Sequence, residues 1–289
     1  MIRANHSSEI NNQSVEFLIQ GDLDAAEAGF REAIRENSRH SSACNNLAFL
    51  LQQKGEWAEA EKYLRKSLKI NPDSSSAWLN LGNVLIQKGD GEEGARMLVK
   101  AIEKDTRNVL AWESLATLSM MQQDFNAAES CWEKTTLLQP QTVKYWLQWG
   151  ITKAGLNKYE EAVACFHKSL ALDAKQSFAW QQLGIVEWIR QNYGIARTAL
   201  LNSLALDPED TNTRYHLALV LLALNELSDA RDQMHHILSL QPTNTKVLID
   251  LGVIYLAEGN RETAGSFFQQ ALEIDPSNSR ALNYQEMCK

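Results

Sequence analysis

Apolar residues recur along the chain with a helical spacing that restarts every 34 residues. In a frame that begins at Ser7, apolar side chains at positions 4, 7 and 11 share one face of a first helix, and those at positions 20, 24 and 27 share one face of a second helix. The pattern predicts a helical hairpin in every frame. The predicted hairpins cover residues 7–40, 41–74, 75–108, 109–142, 143–176, 177–210, 211–244 and 245–278.

Small residues and chain-breaking residues keep fixed positions in this frame. Position 20 is alanine or glycine in all eight frames, and position 8 is alanine or glycine in frames two to eight. A bulky side chain at either position would separate the helices, so we expect the two helices of a hairpin to approach closely there. The turn between the helices is predicted at residues that accept a positive φ: Gly21, Gly55, Gly89, Asn157, Asn225 and Gly259. The end of the second helix is predicted at the prolines of position 32: Pro72, Pro140, Pro208, Pro242 and Pro276.

The order of residue types within the frame resembles a known repeat. Tryptophan lies at position 4 in the four central frames, at Trp78, Trp112, Trp146 and Trp180. Leucine followed by glycine or alanine lies at positions 7 and 8 in most frames. Together with the small residue at position 20 and the proline at position 32, this pattern resembles the tetratricopeptide repeat family over residues 7–278. The resemblance implies an all-α fold, a right-handed α-α superhelix of helix-turn-helix repeats whose first helices line a concave surface.

Frames one and three depart most from the family pattern. Frame one has Gln13 and Ser14 where leucine and glycine are typical, which suits a solvent-facing end of the array. Frame three carries Gly91 and Gly94 in its turn and second helix. A glycine inside a helix costs about 1 kcal/mol relative to alanine. We therefore expect frame three to be the weakest joint of the array.

Two short segments fall outside the eight frames. Residues 1–6 are predicted to form an N-terminal extension. Residues 279–289 begin with the same pattern at Ala281 and Leu282 and then become polar. They predict a partial ninth helix or a C-terminal cap over the last apolar face. The alternative is that the chain is a fragment of something longer.

Composition narrows the class of protein. Hydrophobic residues make up 44% and charged residues 22% of the 289 residues, as in a folded chain. The net charge of −8 opposes a phosphate backbone, and no basic run occurs, so nucleic-acid binding is not expected. No apolar run approaches the roughly 18 residues that a membrane-spanning helix needs, and the N-terminus lacks the apolar segment of a signal peptide. The four cysteines form no C-x-x-C pair. We expect a cytoplasmic protein without membrane insertion.

Three features invite a chemical interpretation, and each has a simpler structural one. Residues 89–94 match G-x-G-x-x-G, but a helix precedes them and their carboxylates would repel phosphate, so an interhelical turn is predicted. His235 and His236 are adjacent on a helix and have no third ligand nearby. Cys131 and Cys165 share position 23 and are expected to be inert packing residues. No catalytic motif occurs, so we predict no enzyme, no cofactor and no metal site.

Position 6 lies on the face that the resemblance assigns to the concave surface. It is Asn12, Asn46, Asn80, Ser114, Gln148, Gln182, His216 and Asp250 in successive frames. Amide side chains both donate and accept hydrogen bonds, so such a row can bind the main chain of an extended peptide. The row is similar to the asparagine ladder in the repeat domain of O-GlcNAc transferase. The alternative is that asparagine is common at this position throughout the family and lies on a solvated face.

The two ends of this face differ in polarity. The second and third frames contribute Asn45, Gln52, Gln53, Asn83 and Gln87, and the last three contribute Ile185, Trp188, Ile189, Tyr215, Leu219, Leu222, Ile249, Val253 and Leu256. The apolar end is expected to bind an amphipathic helix or apolar anchors of a partner, with Trp188 and Tyr215 as the main contacts. The alternative is that these side chains pack on one another or on a continuing helix.

One specific ligand of the family is disfavoured. Some members bind the C-terminal EEVD motif of heat-shock chaperones through lysine, asparagine and arginine residues on three successive first helices. Asn83 and Lys144 match two of these positions, but Leu79 stands where a lysine is required. Only fragments of this clamp are present, so we do not expect chaperone-tail binding.

The sequence therefore predicts a non-catalytic scaffold or adaptor whose concave groove binds a peptide segment or helix of a partner protein. Two alternatives follow from the same features. In the first, the array is the substrate-recruiting part of a larger transferase of the glycosyltransferase type. In the second, the chain is a self-assembling scaffold, a homo-oligomer in which the end of one array docks in the groove of another.

Overall fold

The computed structural model describes the backbone of residues 2–288 and the side chains of residues 6–288. Within that range the chain forms seventeen α-helices and no strand. The helices are α1 (Ile2–Gln20), α2 (Leu23–Glu36), α3 (Ser41–Gln53), α4 (Trp57–Ile70), α5 (Ser75–Gln87), α6 (Gly91–Lys104), α7 (Val109–Met121), α8 (Phe125–Leu138), α9 (Val143–Gly155), α10 (Tyr159–Leu172), α11 (Ser177–Ile189), α12 (Tyr193–Leu206), α13 (Thr211–Ala223), α14 (Leu227–Leu240), α15 (Thr245–Ala257), α16 (Arg261–Ile274) and α17 (Ser279–Met287). The predicted all-α class is confirmed. The chain divides inside α9 into two compact units, unit 1 (Met1–Tyr145) and unit 2 (Trp146–Lys289).

Unit 1 contains α1 to α8 and the first residues of α9. Its core is made by the apolar faces of the paired helices. The largest fully buried side chains are Phe30, Leu47, Leu50, Leu51, Leu64, Leu81, Leu98 and Trp132. Helix α1 begins at Ile2, so residues 2–6 of the predicted extension belong to the first helix, and Met1 lies outside the described residues.

Unit 2 contains the rest of α9 and α10 to α17. Phe166, Leu183, Leu200 and Phe268 are its largest fully buried side chains. The short helix α17 packs on the preceding pair, since Ala281 is fully buried in the same cluster as Phe268. The ring of Tyr284 stacks on that of Phe268 with centroids 5.5 Å apart. Residues 279–287 therefore cover the apolar face of α15 and α16.

Tryptophan at position 4 has a clear structural role. The indole N–H of Trp78 donates to the Pro72 carbonyl at 2.7 Å, and that of Trp180 donates to the Ala174 carbonyl at 2.9 Å. In both cases the acceptor lies six residues earlier, just beyond the end of the preceding second helix. The side chain therefore packs its ring at the joint between two frames while its single donor is satisfied there.

Ion pairs join successive second helices of unit 1. The guanidinium of Arg31 contacts Glu59 at 3.0 Å, and that of Arg65 contacts Glu93 at 3.0 Å. The two pairs use the same frame positions, because Arg65 follows Arg31 by 34 residues. Hydrogen bonding from Arg31 lowers the pKa of the Glu59 carboxyl. These contacts support the register of neighbouring hairpins.

The small residues at positions 8 and 20 allow close approach of the paired helices, as predicted. A Cβ on Gly184 would lie 2.6 Å from Cγ of the buried Leu200, and a Cβ on Gly252 would lie 2.4 Å from Cε1 of the buried Phe268. Real Cβ contacts are essentially never this short. The core side chain of the second helix thus occupies the volume that a larger residue at position 8 would need.

The turn between paired helices has a positive φ at position 15. The six predicted residues all adopt it, from 59° at Asn157 to 92° at Gly89. Two further residues, Gln123 with φ of 60° and Gln191 with φ of 64°, adopt the same conformation without being glycine or asparagine. A non-glycine residue in the left-handed region is strained by contact between its Cβ and the backbone.

We expect Gln123→Gly to raise the free energy of unfolding by about 0.5 kcal/mol, because the strain it relieves exceeds the extra backbone entropy of glycine. The adjacent Gln122 provides a matched control, since it is also exposed but has φ of −84°. Gln122→Gly is expected to lower the free energy of unfolding by about 0.5 kcal/mol. Denaturant titration of both variants compares the two effects, and a shift of the same sign in both would contradict the strain at Gln123.

Candidate functional site

In unit 1, the predicted row at position 6 takes part in hydrogen bonds between first helices. Asn46 Nδ2 donates to Asn11 Oδ1 at 3.1 Å, and Asn80 Nδ2 donates to Asn45 Oδ1 at 3.0 Å. Each bond spans 35 residues and joins position 6 of one frame to position 5 of the frame before it. Asn12 is exposed, and its Oδ1 accepts from Asn11 Nδ2 at 3.3 Å. Asn46 and Asn80 therefore hold neighbouring helices together.

A cavity of about 530 Å³ lies in unit 1. It is formed mainly by the first helices α3, α5 and α7 and by the start of α9. Its lining residues are Phe49, Gln52, Gln53, Trp57, Asn83, Ile86, Gln87, Glu113, Ser114, Thr117, Leu118, Met121 and Lys144. Most of them lie at positions 2, 5, 6, 9, 12 or 13 of their frames, which the resemblance assigns to the concave surface. We call this site the unit 1 cavity; its volume is within the range of about 300–1,000 Å³ that is usual for ligand sites.

Four amide side chains of this cavity lack a hydrogen-bond partner among the described residues. Nε2 of Gln52 is buried and unpaired. The side-chain amides of Gln53, Asn83 and Gln87 also make no hydrogen bond to another described side chain or main-chain group. These residues lie at positions 9, 12 and 13 of two successive frames. The amides of Gln53, Asn83 and Gln87 therefore remain available for a ligand, one to two helical turns beyond position 6.

Apolar side chains form another part of the cavity wall. Phe49 in α3 is 42% exposed, and Met121 at the end of α7 is 74% exposed. Ile86 in α5 and Leu118 in α7 complete this apolar lining and are more buried. Two large apolar residues with this exposure beside a cavity provide a contact area for an apolar ligand group.

The two charged residues that line the cavity form an ion pair with each other. The Lys144 ammonium contacts Oε1 of Glu113, and the Tyr145 hydroxyl donates to Oε2 of the same carboxylate at 2.8 Å. Burial, together with this hydrogen bond, raises the pKa of the Tyr145 phenol well above its usual range. Glu113 and Lys144 are the only charged residues that line the cavity among the described side chains.

The predicted site residues of unit 2 are more buried than a solvated row would be. Gln148, His216 and Leu219 are half-buried, and so is Gln182, whose amide donates to Gln181 Oε1 at 3.3 Å. Asp250 is only 9% exposed. The carboxylate of Asp250 accepts from the Tyr215 hydroxyl at 2.7 Å and pairs with Arg280 of α17 at 2.7 Å. Asp250 and Tyr215 thus help to attach α17.

Part of the predicted apolar surface of unit 2 is buried by packing within the unit. Ile249 is 2% exposed, and Trp188 packs against the core of unit 2 and against the ring of His216. Two apolar residues of α11 are exposed, Phe178 at 50% and the predicted Ile189 at 43%. Phe178 was not among the predicted site residues. It lies four residues before position 6 on the same face of the helix, and that spacing is the signal for it.

A smaller cavity of about 320 Å³ lies in unit 2. It is lined by Thr211, Asn212, Tyr215, His216, Ile237, Asn244, Lys246 and Val247. The Lys246 ammonium lies 3.9 Å from the centroid of the Tyr215 ring, a cation–π contact. Burial is the main cause that raises the pKa of the Tyr215 phenol, with a further contribution from its bond to Asp250. The unit 1 cavity is larger and retains more unpaired polar groups.

The features that invited a chemical interpretation lie at structural positions. Residues 89–94 form the turn from α5 into α6, in which Asp90 caps α6 by accepting from the Glu93 N–H. Burial, with a smaller effect of the Asp124 charge, raises the pKa of the Cys131 thiol to about 11. Among the described residues, no group of three histidine, cysteine or carboxylate side chains could hold a metal ion. None of their helices is long and apolar enough to cross a membrane.

Family models identify the repeat in parts of the chain. Models described as tetratricopeptide repeat match residues 17–83, 52–105 and 245–278. A model described as the CABIN1 N-terminal domain matches residues 142–254. No curated protein matches the chain.

Solved structures of similar fold include YrrB, PilF and PilW. YrrB, described as a TPR protein with an unusual peptide-binding site, is 22% identical, covers 66% of this chain and 99% of its own, and has a TM-score of 0.57. PilF of Pseudomonas aeruginosa is 20% identical over 75% of this chain and 98% of its own, with a TM-score of 0.60. PilW, a type IV pilus biogenesis factor, is 22% identical over 72% of this chain and 97% of its own, with a TM-score of 0.62. The chain therefore contains tetratricopeptide repeats and has the α-solenoid fold that they build.

Proposed function

We propose that the protein is a non-catalytic interaction scaffold and that the unit 1 cavity binds a peptide segment of a partner protein. The observation that carries this proposal is the group of unpaired amides around the cavity. A peptide segment presents N–H and C=O groups at regular intervals, and amide side chains can satisfy both kinds of group without reading the sequence.

The fold supports this proposal. Tetratricopeptide repeats present the faces of successive first helices on one side, which suits the binding of an extended ligand. YrrB, which has the same fold, is described as having a peptide-binding site. In this chain most of the cavity residues come from α3, α5, α7 and α9, the first helices of successive hairpins.

Selection from a display library of short random peptides tests the proposal with the full chain. We expect the unaltered protein to enrich peptides, and we expect Asn83→Ala combined with Gln87→Ala to weaken binding of the enriched peptides about tenfold, because several main-chain hydrogen bonds are lost. Arg96→Ala is the control, since Arg96 is exposed on α6 and, among the described residues, pairs only with Glu92. Trp188→Ala tests the predicted contacts of unit 2 in the same assay.

The outcomes separate the proposed site from its alternatives. Loss of binding in Trp188→Ala, without loss in the double variant, would place the peptide site in unit 2. Failure of the protein to enrich any peptide would reject peptide binding as its function. Light scattering across a concentration series tests the alternative that the protein self-associates. In that case the molar mass rises with concentration, and the double variant reduces the rise.

A further inference from the structure

We infer that the unit 1 cavity selects uncharged, extended segments that carry an apolar side chain, which is bound on the apolar wall formed by Phe49, Ile86 and Met121. The inference rests on the proposed function and names the class of peptide that this site accepts. It follows from the ion pair that neutralises the charged residues of the cavity, from the unpaired amides, and from the exposure of Phe49 and Met121.

The charge of the cavity is balanced without a ligand. Glu113 and Lys144 pair with each other, and Tyr145 donates a further hydrogen bond to Glu113. Every other lining residue is an amide, a hydroxyl or an apolar side chain. A charged ligand group would lose water without gaining an unpaired opposite charge, which is unfavourable. An uncharged segment meets no such penalty.

The unpaired amides favour an extended main chain over a helix. In a helix the N–H and C=O groups are already bonded to each other, so a bound helix could offer little to Asn83 or Gln87. An extended segment has free groups on both edges.

The apolar part of the cavity is formed by side chains of three successive first helices, where an apolar side chain of the peptide would bind. Phe49 and Met121 extend from α3 and α7, and Ile86 extends from α5, the first helix of the hairpin between them. Met121 is flexible and polarisable, so it can adapt to anchors of different shape. Because amide residues from α3 and α5 line the same cavity, the anchor is flanked by positions where main-chain hydrogen bonds are favoured.

Four capped synthetic peptides test this inference by fluorescence anisotropy with the full chain. The reference peptide has a central leucine flanked by serine, glycine and asparagine. The others replace the leucine by serine, place glutamates in the flanks or place lysines in the flanks. We expect the reference to bind tightest and each replacement to weaken binding about tenfold, as the loss of one anchor or the burial of an unpaired charge typically does.

Variants of the protein link each preference to its residues. Met121→Ser is expected to weaken binding of the reference peptide about tenfold. It should leave the affinity of the serine-centred peptide unchanged, since that peptide has no apolar side chain for Met121 to bind. Lys144→Gln leaves the Glu113 carboxylate without its ammonium and should favour the lysine-flanked peptide. Glu113→Gln leaves Lys144 unpaired and should favour the glutamate-flanked peptide. Thermal unfolding of each variant, with Arg96→Ala as the control, separates a change in binding from a loss of fold.

Two results would overturn the inference. The first is equal or tighter binding of a charged-flank peptide to the unaltered protein. The second is binding of the reference that depends neither on its leucine nor on Met121. In either case library enrichment that still requires Asn83 and Gln87 would leave the proposed function standing, whereas absence of any enrichment would reject both.

Discussion

Gly94→Ala is expected to lower the free energy of unfolding by about 2 kcal/mol, although alanine is the better helix former. A Cβ on Gly94 would lie 2.6 Å from Cγ1 of Ile86 and 2.9 Å from the carbonyl oxygen of Gly82. The second contact is with main chain, which cannot rotate away as a side chain does. Helices α5 and α6 would have to separate, and the packing at their closest approach would be lost.

Gly91→Ala is the matched control for this prediction. Gly91 begins the same helix, but its added Cβ would meet only Nε2 of Gln122 at 3.5 Å and Cδ1 of Leu118 at 3.6 Å, which are ordinary contacts. We expect Gly91→Ala to be neutral or to stabilise the protein by about 0.5 kcal/mol. Denaturant titration of both variants makes the comparison. Equal stabilisation by the two alanines would show that close approach at Gly94 contributes nothing.

Gly94 shows which effect of a glycine the sequence alone could predict and which it could not. Helix propensity assigns Gly94 only a cost, and that is why the third frame was expected to be the weakest joint. The structure adds that Gly82 and Gly94 face each other across the hairpin, so the missing side chains are what permits the approach. Propensity is a local property, whereas the gain depends on a residue twelve positions away.

The helices and turns were more predictable than the contacts between hairpins. The 34-residue period fixes where each helix begins, and it also locates the strained turn residues Gln123 and Gln191, because both fall at the position of Gly89 in their frames. Residue type alone misses them, since glutamine has no preference for positive φ. The period was therefore a better guide to the turn than the residue was.

The sequence predicted the face of the candidate site and its amide residues Gln52, Gln53, Asn83 and Gln87, but it did not predict how the position 6 row is paired. The concave positions of α3, α5 and α7 do line the unit 1 cavity. The sequence could not show that Asn46 and Asn80 bond to amides of the preceding frame, because that pairing depends on the offset between neighbouring helices. A spacing of 35 residues between two polar side chains is the signal for it, and Tyr215 with Asp250 has the same spacing.

Asp210→Ala is expected to lower the free energy of unfolding by about 3 kcal/mol, because one carboxylate both caps α13 and joins it to α11. Oδ1 of Asp210 accepts from the Asn212 N–H at 3.0 Å. Oδ2 accepts from Gln181 Nε2 at 2.7 Å and from the Thr213 hydroxyl at 2.5 Å. Gln181 and Thr213 are buried, so water cannot replace the lost acceptor.

Asn260→Ala is the control that measures the effect of losing a helix cap alone, without the loss of an acceptor for buried side chains. Asn260 caps α16 by accepting from the Thr263 N–H at 3.1 Å, and it joins no buried side chain among the described residues. Its loss is expected to cost about 1 kcal/mol, the usual value for a cap. Denaturant titration of both alanine variants measures the difference between them. If they lose the same stability, the bonds to Gln181 and Thr213 add nothing; a larger loss in Asp210→Ala assigns the excess to the buried acceptor that links two hairpins of unit 2.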